Sequence, residues 1–469
     1  MELKSTGTSS ETAQPTLRIT ADAHSNHGPT ASTSFLQEVS GLFRISTAGA
    51  STAATLAPFA ARSFAIVFAR YGRFLRKYLS HSVSSPVLAT LIGAIAWSGH
   101  LATIPLSLLP AGLLYKAQSR AQAYAIFASY YFGASWPLVP GARAFFGEKA
   151  SILDGILLCL IATSFLAVPA AVLFTRNRAK LAFSIPAMII LAALPPLGII
   201  GWASPLLSAG VLFPGTGWLG IISVLGIVAS LGRFPSHTAV LAGTLALVSH
   251  ALYKPAALPP GWQAINTPFG GAGQGDPDFL AEFEAHEQMQ ETIRQSNARV
   301  LLFPEHVVTQ WNQATEAFWQ ETLDGSARHN RATVLIGAGI QRGGVPNAVG
   351  TKCYYNVLIA RGSDTQAIYY QRIPVPIGMW KPLSSGGVPL NLFGPGSISV
   401  QGQRAAVLIC YEQLLVWPFL SSVFEHPTVL VAAANDYWAK DTPIPEVQEV
   451  SAKSLARLFG LPLLSAVNH

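Results

Sequence analysis

The sequence predicts a multi-pass α-helical membrane domain followed by an α/β layered domain. Three observations carry this reading. Half of the 469 residues are hydrophobic and only 11% are charged, where a soluble domain carries about 25%. From Pro86 to Phe234 the only acids are Glu148 and Asp154. After Lys254 the chain turns polar, and short strand-like runs alternate with helical patterns, as in layered α/β folds.

Residues 1–56 are rich in Ser, Thr, Ala and Gly and lack an apolar period, which predicts a disordered segment. Met1–Gly28 has no apolar core of the kind a cleavable signal peptide needs. Over 57–85, Arg62, Arg70, Arg73, Arg76 and Lys77 alternate with Phe64, Ile66, Val67, Phe68, Phe74 and Leu75. That is a basic amphipathic segment for a membrane surface, since five cations oppose a span.

The membrane domain is expected over 86–253. Apolar stretches lie at 86–115, 121–139, 152–174, 181–201, about 213–232 and 236–253. Stretches of ~17–25 residues fit single spans. Residues 86–115 are long for one span and short for two; Gly99-His100, Pro105 and Pro110 suggest a tight hairpin of two crossings. That gives seven spans, or six if the hairpin is a single crossing. With seven and a cytoplasmic N-terminus, the cations of 62–77, Lys116, Arg120, Arg176, Arg178, Lys180 and Arg233 all face the cytoplasm. Arg143, Lys149 and Lys254 fall on the other side, with the C-terminal domain in the periplasm. The net charge of +7 therefore sits at membrane flanks, and direct nucleic-acid binding is not expected.

Residues 254–469 are expected to form the second domain. A Pro/Gly-rich stretch holds one short strand candidate at 263–266, and a polar helix follows over 278–297. Strand-like runs recur at 299–304, 332–340, 354–360, 366–371, 405–410 and 428–434, with helical patterns near 311–323, 412–425 and 446–459. Gly270-Gly271-Ala272-Gly273 has no phosphate-loop pattern. His100, His237 and His250 lack metal-ligand spacing, so no cofactor and no metal are expected. The three cysteines, Cys159, Cys353 and Cys410, form no disulfide framework. Cys159 reads as a packing residue and Cys353 as a strand residue.

One pair of motifs carries chemistry. The apolar run Ala405–Ile409 ends in Cys410-Tyr411-Glu412, a thiol at a sharp strand-to-helix turn where backbone N–H groups can serve an oxyanion. Glu412 can polarise or orient the site. Upstream, Val300–Phe303 is a strand followed by Pro304-Glu305. A thiol and a carboxylate at two strand ends suit covalent acyl transfer. The plainer alternatives are a buried small cysteine and a glutamate that only caps a helix; His306 reads as structural.

Four motifs then resemble the nitrilase (carbon–nitrogen hydrolase) superfamily. They are Phe303-Pro304-Glu305, Tyr370-Gln371-Arg372-Ile373-Pro374-Val375-Pro376-Ile377-Gly378, Leu408-Ile409-Cys410-Tyr411-Glu412 and Asn435-Asp436-Tyr437-Trp438. With multi-pass helices in front, the chain is similar to the apolipoprotein N-acyltransferases and, within that group, to the conjugal-transfer proteins of the TraB type. The resemblance implies an αββα sandwich with a Glu–Lys–Cys triad: Cys410 as nucleophile, Glu305 as general base, Glu412 as a further important acid. The family's lysine falls on Gln371, and its next glutamate on Met379. An amide brings no charge to an oxyanion, and losing one such donor costs ~10²–10³ in rate. Arg372 should point to the opposite strand face, and Lys381 lies in a following loop. The chain stops at His469, before the family's closing strands and last helix, which predicts a poorly protected sheet edge.

Two readings follow from the resemblance. The first is an integral inner-membrane protein of plasmid conjugal transfer whose periplasmic domain is noncatalytic. The alternative is a Cys-dependent N-acyltransferase or amidase forming a thioester on Cys410. Expected partners are inner-membrane lipid and proteins of the conjugation machinery.

Overall fold

The computed structural model describes residues 84–147, 150–270, 279–343, 353–362, 365–383 and 386–469. The expected disordered segment 1–56 and nearly all of the basic segment 57–85 lie outside the described residues.

The first half is helical throughout. It comprises α1 (Ser84–Ala96), a 3₁₀ segment (Leu101–Leu108) running into α2 (Leu109–Leu114), α3 (Arg120–Ser135), α4 (Leu138–Phe146), α5 (Ile152–Leu166) and α6 (Val168–Leu173). Then come α7 (Arg178–Ala193), α8 (Ser208–Leu212), α9 (Trp218–Ser230) and α10 (Pro235–Leu252). Asn177 caps α7 through its side chain, and Ser151 with Asp154 forms a capping box on α5. The break expected at Gly99-His100 is present, separating α1 from the 3₁₀ segment.

Helix lengths depart from the expected spans. Among the described residues, only Ile152–Leu173 is both long and apolar enough to cross a membrane by these criteria, with mean hydropathy 2.5 over its best window. The others are interrupted or shortened: Pro110 opens α2, and Pro195-Pro196 lies beyond the end of α7. Even so, α5, α9 and α10 leave large apolar side chains exposed, including Ile161, Phe165, Leu219, Ile222, Val240 and Leu241.

The second half is a mixed α/β domain with two sheets. One sheet runs β1 (Trp262–Ala264), β2 (Val300–Leu302), β3 (Thr333–Gln341), β4 (Tyr354–Gly362), β5 (Gln366–Tyr370); β1–β3 are parallel and the rest antiparallel. The other runs β6 (Ser397–Val400), β7 (Gln403–Ile409), β8 (Val429–Asn435), β9 (Leu463–Asn468), with β7–β9 parallel. Helices α11 (Phe279–Gln295), α12 (Gln313–Asn330), α13 (Val416–Val423) and α14 (Ile444–Phe459) complete it.

Strand alternation sorts the side chains into layers. Val300, Leu302, Leu335 and Leu358 meet Ala405, Val407, Ile409, Val431 and Ala433 in one buried cluster between the sheets. Their neighbours Leu301, Phe303, Val334, Ile336 and Val357 point the other way, onto Met289 and Ile293 of α11 and Trp319 of α12. On the far side of the second sheet, Ala406, Leu408 and Leu430 pack with Phe419, Val447 and Leu455 of α13 and α14. This is a helix–sheet–sheet–helix stack.

That last cluster does not stop at the domain. It also contains Ile104, Leu108, Leu207, Leu212 and Val224 of the helical half. The contact is close: a Cβ on Gly210 of α8 would lie 1.8 Å from the carbonyl oxygen of Ser454 in α14. The N–H groups of Gly215 and Gly217 donate to the Arg457 and Leu458 carbonyls (both 2.7 Å), supplying the donors that a helix C-terminus lacks. Arg457 stacks on the Tyr253 ring at 5.2 Å.

Two strands were absent from the sequence reading, β6 and β9. The second bears on the expected bare edge, because the side of β9 away from β8 is occupied. Thr267 N donates to Val467 O (3.1 Å), His469 N to Thr267 O (2.9 Å), and Val467 N to the Asn266 side chain (2.9 Å). Asn468 adds side-chain bonds to Thr267 (2.8 Å) and the Gly270 carbonyl (2.9 Å). The segment after β1 thus lies along β9 and joins the two sheets at that end.

Candidate active site

Glu305 follows β2 and Cys410 follows β7, so one group comes from each sheet and both stand at the C-terminal ends of parallel strands. Close backbone approach is built in beside Glu305: a Cβ on Gly337 of β3 would lie 2.6 Å from Glu305 Cα. Cys410 has φ +51°, a left-handed conformation that costs a non-glycine residue about 1–2 kcal/mol. It begins a 3₁₀ turn, Cys410–Leu414, leading toward α13. The turn is pinned twice more, by Gln413 Nε2 donating to Ala433 O (3.1 Å) and by Tyr411 Oη donating to Ile199 O (2.9 Å) of the helical half.

The thiol and the carboxylate meet. Cys410 donates a hydrogen bond to Glu305 and accepts one from the Tyr411 N–H. Glu305 Oε1 also accepts from Asn356 Nδ2 (2.6 Å), and Oε2 from Asn435 N (3.0 Å). Asn356 Nδ2 reaches Gln371 Oε1 as well (3.0 Å), so Gln371 stands in the same cluster, at the position the resemblance gives to lysine. Gln371 Nε2 is directed to the Ile409 carbonyl (3.1 Å).

Electrostatics here favour protons. Burial pushes Glu305 up to about 7, against the hydrogen bonds from Cys410, Asn356 and Asn435. Burial also pushes the Cys410 thiol well up, and the Glu305 and Asp436 carboxylates push it further; the Tyr411 N–H alone pulls it back. Asp436 is itself raised to about 7, by burial first and by Glu305 and Glu446 next. Among the described residues no cation is a cause of any of the three shifts. The resting pair is therefore a neutral thiol beside a carboxyl group that ionises near neutrality.

Glu412 has a different place. Its oxygens accept from Ile409 N (3.0 Å), Arg372 N (2.8 Å), Ile373 N (3.2 Å) and Tyr369 Oη (2.9 Å). Arg372 Nε lies 3.7 Å away and donates to Tyr369 Oη (2.9 Å). Cys410 is not among its partners. Glu412 holds the backbone at the foot of the cysteine turn and ties it to the segment after β5. Arg372, only 2% exposed, lies with Gln371 beyond the end of β5, shares no side-chain hydrogen-bond partner with it, and also reaches Pro418 O and Ser422 of α13. No hydrogen bond or ion pair among the described residues joins Lys381 to Cys410, Glu305 or Gln371. Trp438 packs edge-on against Phe145 of α4 (5.2 Å).

Two residues of the cluster, Asn356 and Tyr369, were not singled out from sequence, and Asn435 and Asp436 stood only within a motif of the resemblance, with no role assigned. The signal for Asn356 was a polar residue inside the run Tyr354–Ala360. For Asn435 and Asp436 it was two polar residues closing the all-apolar strand Val429–Ala434.

The helix–sheet–sheet–helix stack with a facing Glu–Cys pair is the arrangement that the resemblance to the nitrilase superfamily implies. No protein-family model matches the chain. It is 32% identical over 403 residues to the conjugal transfer protein TraB of Agrobacterium fabrum, covering 81% of this chain and 91% of that one. It is 31% identical to the probable conjugal transfer protein TraB of Sinorhizobium fredii, covering 81% and 97%. The chain belongs to the TraB family of conjugal transfer proteins. An apolipoprotein N-acyltransferase of Methylococcus capsulatus is 26% identical over 185 residues, 37% of this chain and 35% of that one. Among solved structures, a mutant amidase from Nesterenkonia sp. AN1, with acrylamide added at its active site cysteine, is similar in part: 13% identity, TM-score 0.23, 37% of this chain and 65% of that one.

Proposed function

We propose that this chain is a multi-pass inner-membrane protein of plasmid conjugal transfer whose periplasmic nitrilase-like domain carries a slow, Cys410-dependent acyl-transfer site. The observation that carries the chemistry is the placement of Cys410, at a left-handed turn after β7, beside the buried Glu305 carboxylate after β2. Strain at a single residue persists where the surroundings hold it for a purpose. Glu305 accepts the thiol proton, sulfur attacks an acyl carbonyl and expels its protonated leaving group, and the acyl group then passes from sulfur to an amine or to water, with the proton returned to sulfur. Without a cation near sulfur the thiolate fraction is small, so turnover is slow.

Membrane integration is supported by the apolar exposed faces of α5, α9 and α10 and by the near absence of acids over Pro86–Phe234. A second reading, a noncatalytic scaffold, is favoured by one observation: Gln371 stands where the resemblance places the triad lysine, and its amide is engaged on Ile409 O.

Conjugation frequency with Cys410→Ala at matched protein level separates the two. A loss of transfer, with loss of thioester labelling at Cys410, supports chemistry; unchanged transfer sinks it. Export-dependent reporters fused after Ala257 and after His469 should both be active, and inactive reporters at both points would overturn the topology.

A further inference from the structure

Asp436 is the buried acid that the thiol–carboxylate pair leaves unused. It is 2% exposed. Its N–H donates to Asn468 O (2.9 Å), which fixes the backbone between β8 and β9. The preceding residue donates its own N–H to Glu305 Oε2, so the Asp436 backbone runs directly beside the base. Gln448 of α14 holds the carboxyl group, while Oδ1 has no hydrogen-bond partner. A buried carboxyl oxygen without a partner costs about 1–3 kcal/mol. Such an orphan beside a nucleophile asks for a role.

The groups that face Asp436 are few. Glu305 comes from the turn after β2, Glu446 and Gln448 from α14, and Cys410 from the turn after β7. Tyr354, at the start of β4, feels Glu305 and Cys410 in turn, and Glu412 adds a further push on Glu305. None of these is a cation. Burial and the Glu305 charge raise Asp436 to about 7, so the two acids disfavour each other's ionised form.

We propose that Asp436 is the general acid of the Cys410 site, protonating the leaving group while Glu305 receives the thiol proton. The inference rests on the acyl-transfer reading above. In the first half, the Sγ–H proton moves to Glu305 and the Sγ–C bond forms. The bond from the acyl carbon to the leaving group then breaks, and Asp436 gives its proton to the departing amine or alkoxide. In the second half, the incoming amine or water loses a proton to Asp436 and bonds to the acyl carbon. The Sγ–C bond breaks and Glu305 returns its proton to sulfur. Atoms and protons balance, and no outside reagent is needed.

A leaving-group comparison on the full-length protein tests this. The probes are the p-nitrophenyl ester and the p-nitroanilide of one fatty acyl group. Nitrophenolate leaves without a proton; the anilide nitrogen needs one. In Asp436→Asn, anilide cleavage should fall about 100-fold or more while ester acylation of Cys410 stays within about threefold. Asp436→Glu should recover part of the anilide rate. Acrylamide alkylation of Cys410, which expels no group, reports on folding and should persist, at a rate no lower than that of the unmodified protein because one carboxylate that raises the thiol is gone. Should the Asn variant fail to fold, Asp436→Glu carries the test alone: its anilide rate falls and its ester rate holds. Equal losses on both probes, or no loss on either, overturn the assignment. A wild-type protein that is not acylated by the ester sinks the acyl-transfer reading itself, and this inference with it.

Discussion

Gln371 and Ile409 are joined by a hydrogen bond of 3.1 Å, from the amide Nε2 to the carbonyl one residue before Cys410. The side chain at the position the resemblance gives to lysine is thus directed at the strand beneath the sulfur. A charged donor at the same point would act on the thiol and on Glu305 together, lowering both.

Gln371→Lys should therefore raise Cys410 reactivity. Alkylation at neutral pH is expected to speed up about tenfold or more as the thiolate fraction grows. The pH dependence of iodoacetamide labelling measures it. A rate profile identical to that of the unmodified protein would show that position 371 does not reach the thiol's field.

Glu412→Gln should unfold the turn rather than merely slow the chemistry. The change leaves Arg372, 2% exposed, without its counter-charge, and breaking one side of a buried pair costs about 3–5 kcal/mol. A clear drop in the denaturation midpoint in detergent is expected. A midpoint shift typical of an exposed residue would mean the pair contributes little.

Stability should fall as pH rises. Glu305 and Asp436 are both raised to about 7 in the folded protein, well above ordinary carboxyl values. The folded state then holds protons that the unfolded chain has lost, so the contribution is full below the unfolded values, near pH 4. It is lost as pH rises through about 7. Melting temperature measured from pH 5 to 8 should decline, and Asp436→Asn should flatten the decline. A profile that rises over this range would contradict the burial of protonated acids.

Two glycine substitutions should behave oppositely. Gly210→Ala places a Cβ 1.8 Å from Ser454 O, so α8 and α14 must separate and folded protein should be lost. Gly226→Ala, inside α9, meets nothing within 4 Å and should be neutral or stabilising by up to about 1 kcal/mol. Folded yield after detergent extraction compares them. Equal yields would mean the interface can yield at that point.

Strongly apolar elements were the legible ones. Runs such as Val429–Ala434 and Ala405–Ile409 declare a buried strand by composition alone. Cys410, Glu305 and Gln371 were found by the motifs flanking such strands. β6 and β9 escaped because Ser397, Ser399 and Ser465 break the apolar pattern of short edge or near-edge strands. The partner of Glu412 escaped for another reason. Arg372 lies forty residues away along the chain, and only the fold reveals the ion pair between the two. Helix breaks within the apolar stretches were not legible, because prolines and glycines divide such stretches without changing their average hydropathy.

Helix α14 reaches the site at one end, through Gln448 on Asp436. At the other it is clasped by Gly215 and Gly217, and by Arg457 against Tyr253. The two ends are separated by nine residues, about 14 Å of stiff helix. One stiff helix thus belongs to both halves at once, so a substitution that loosens the Gly215 and Gly217 clasp also removes support from the wall of the acid's pocket.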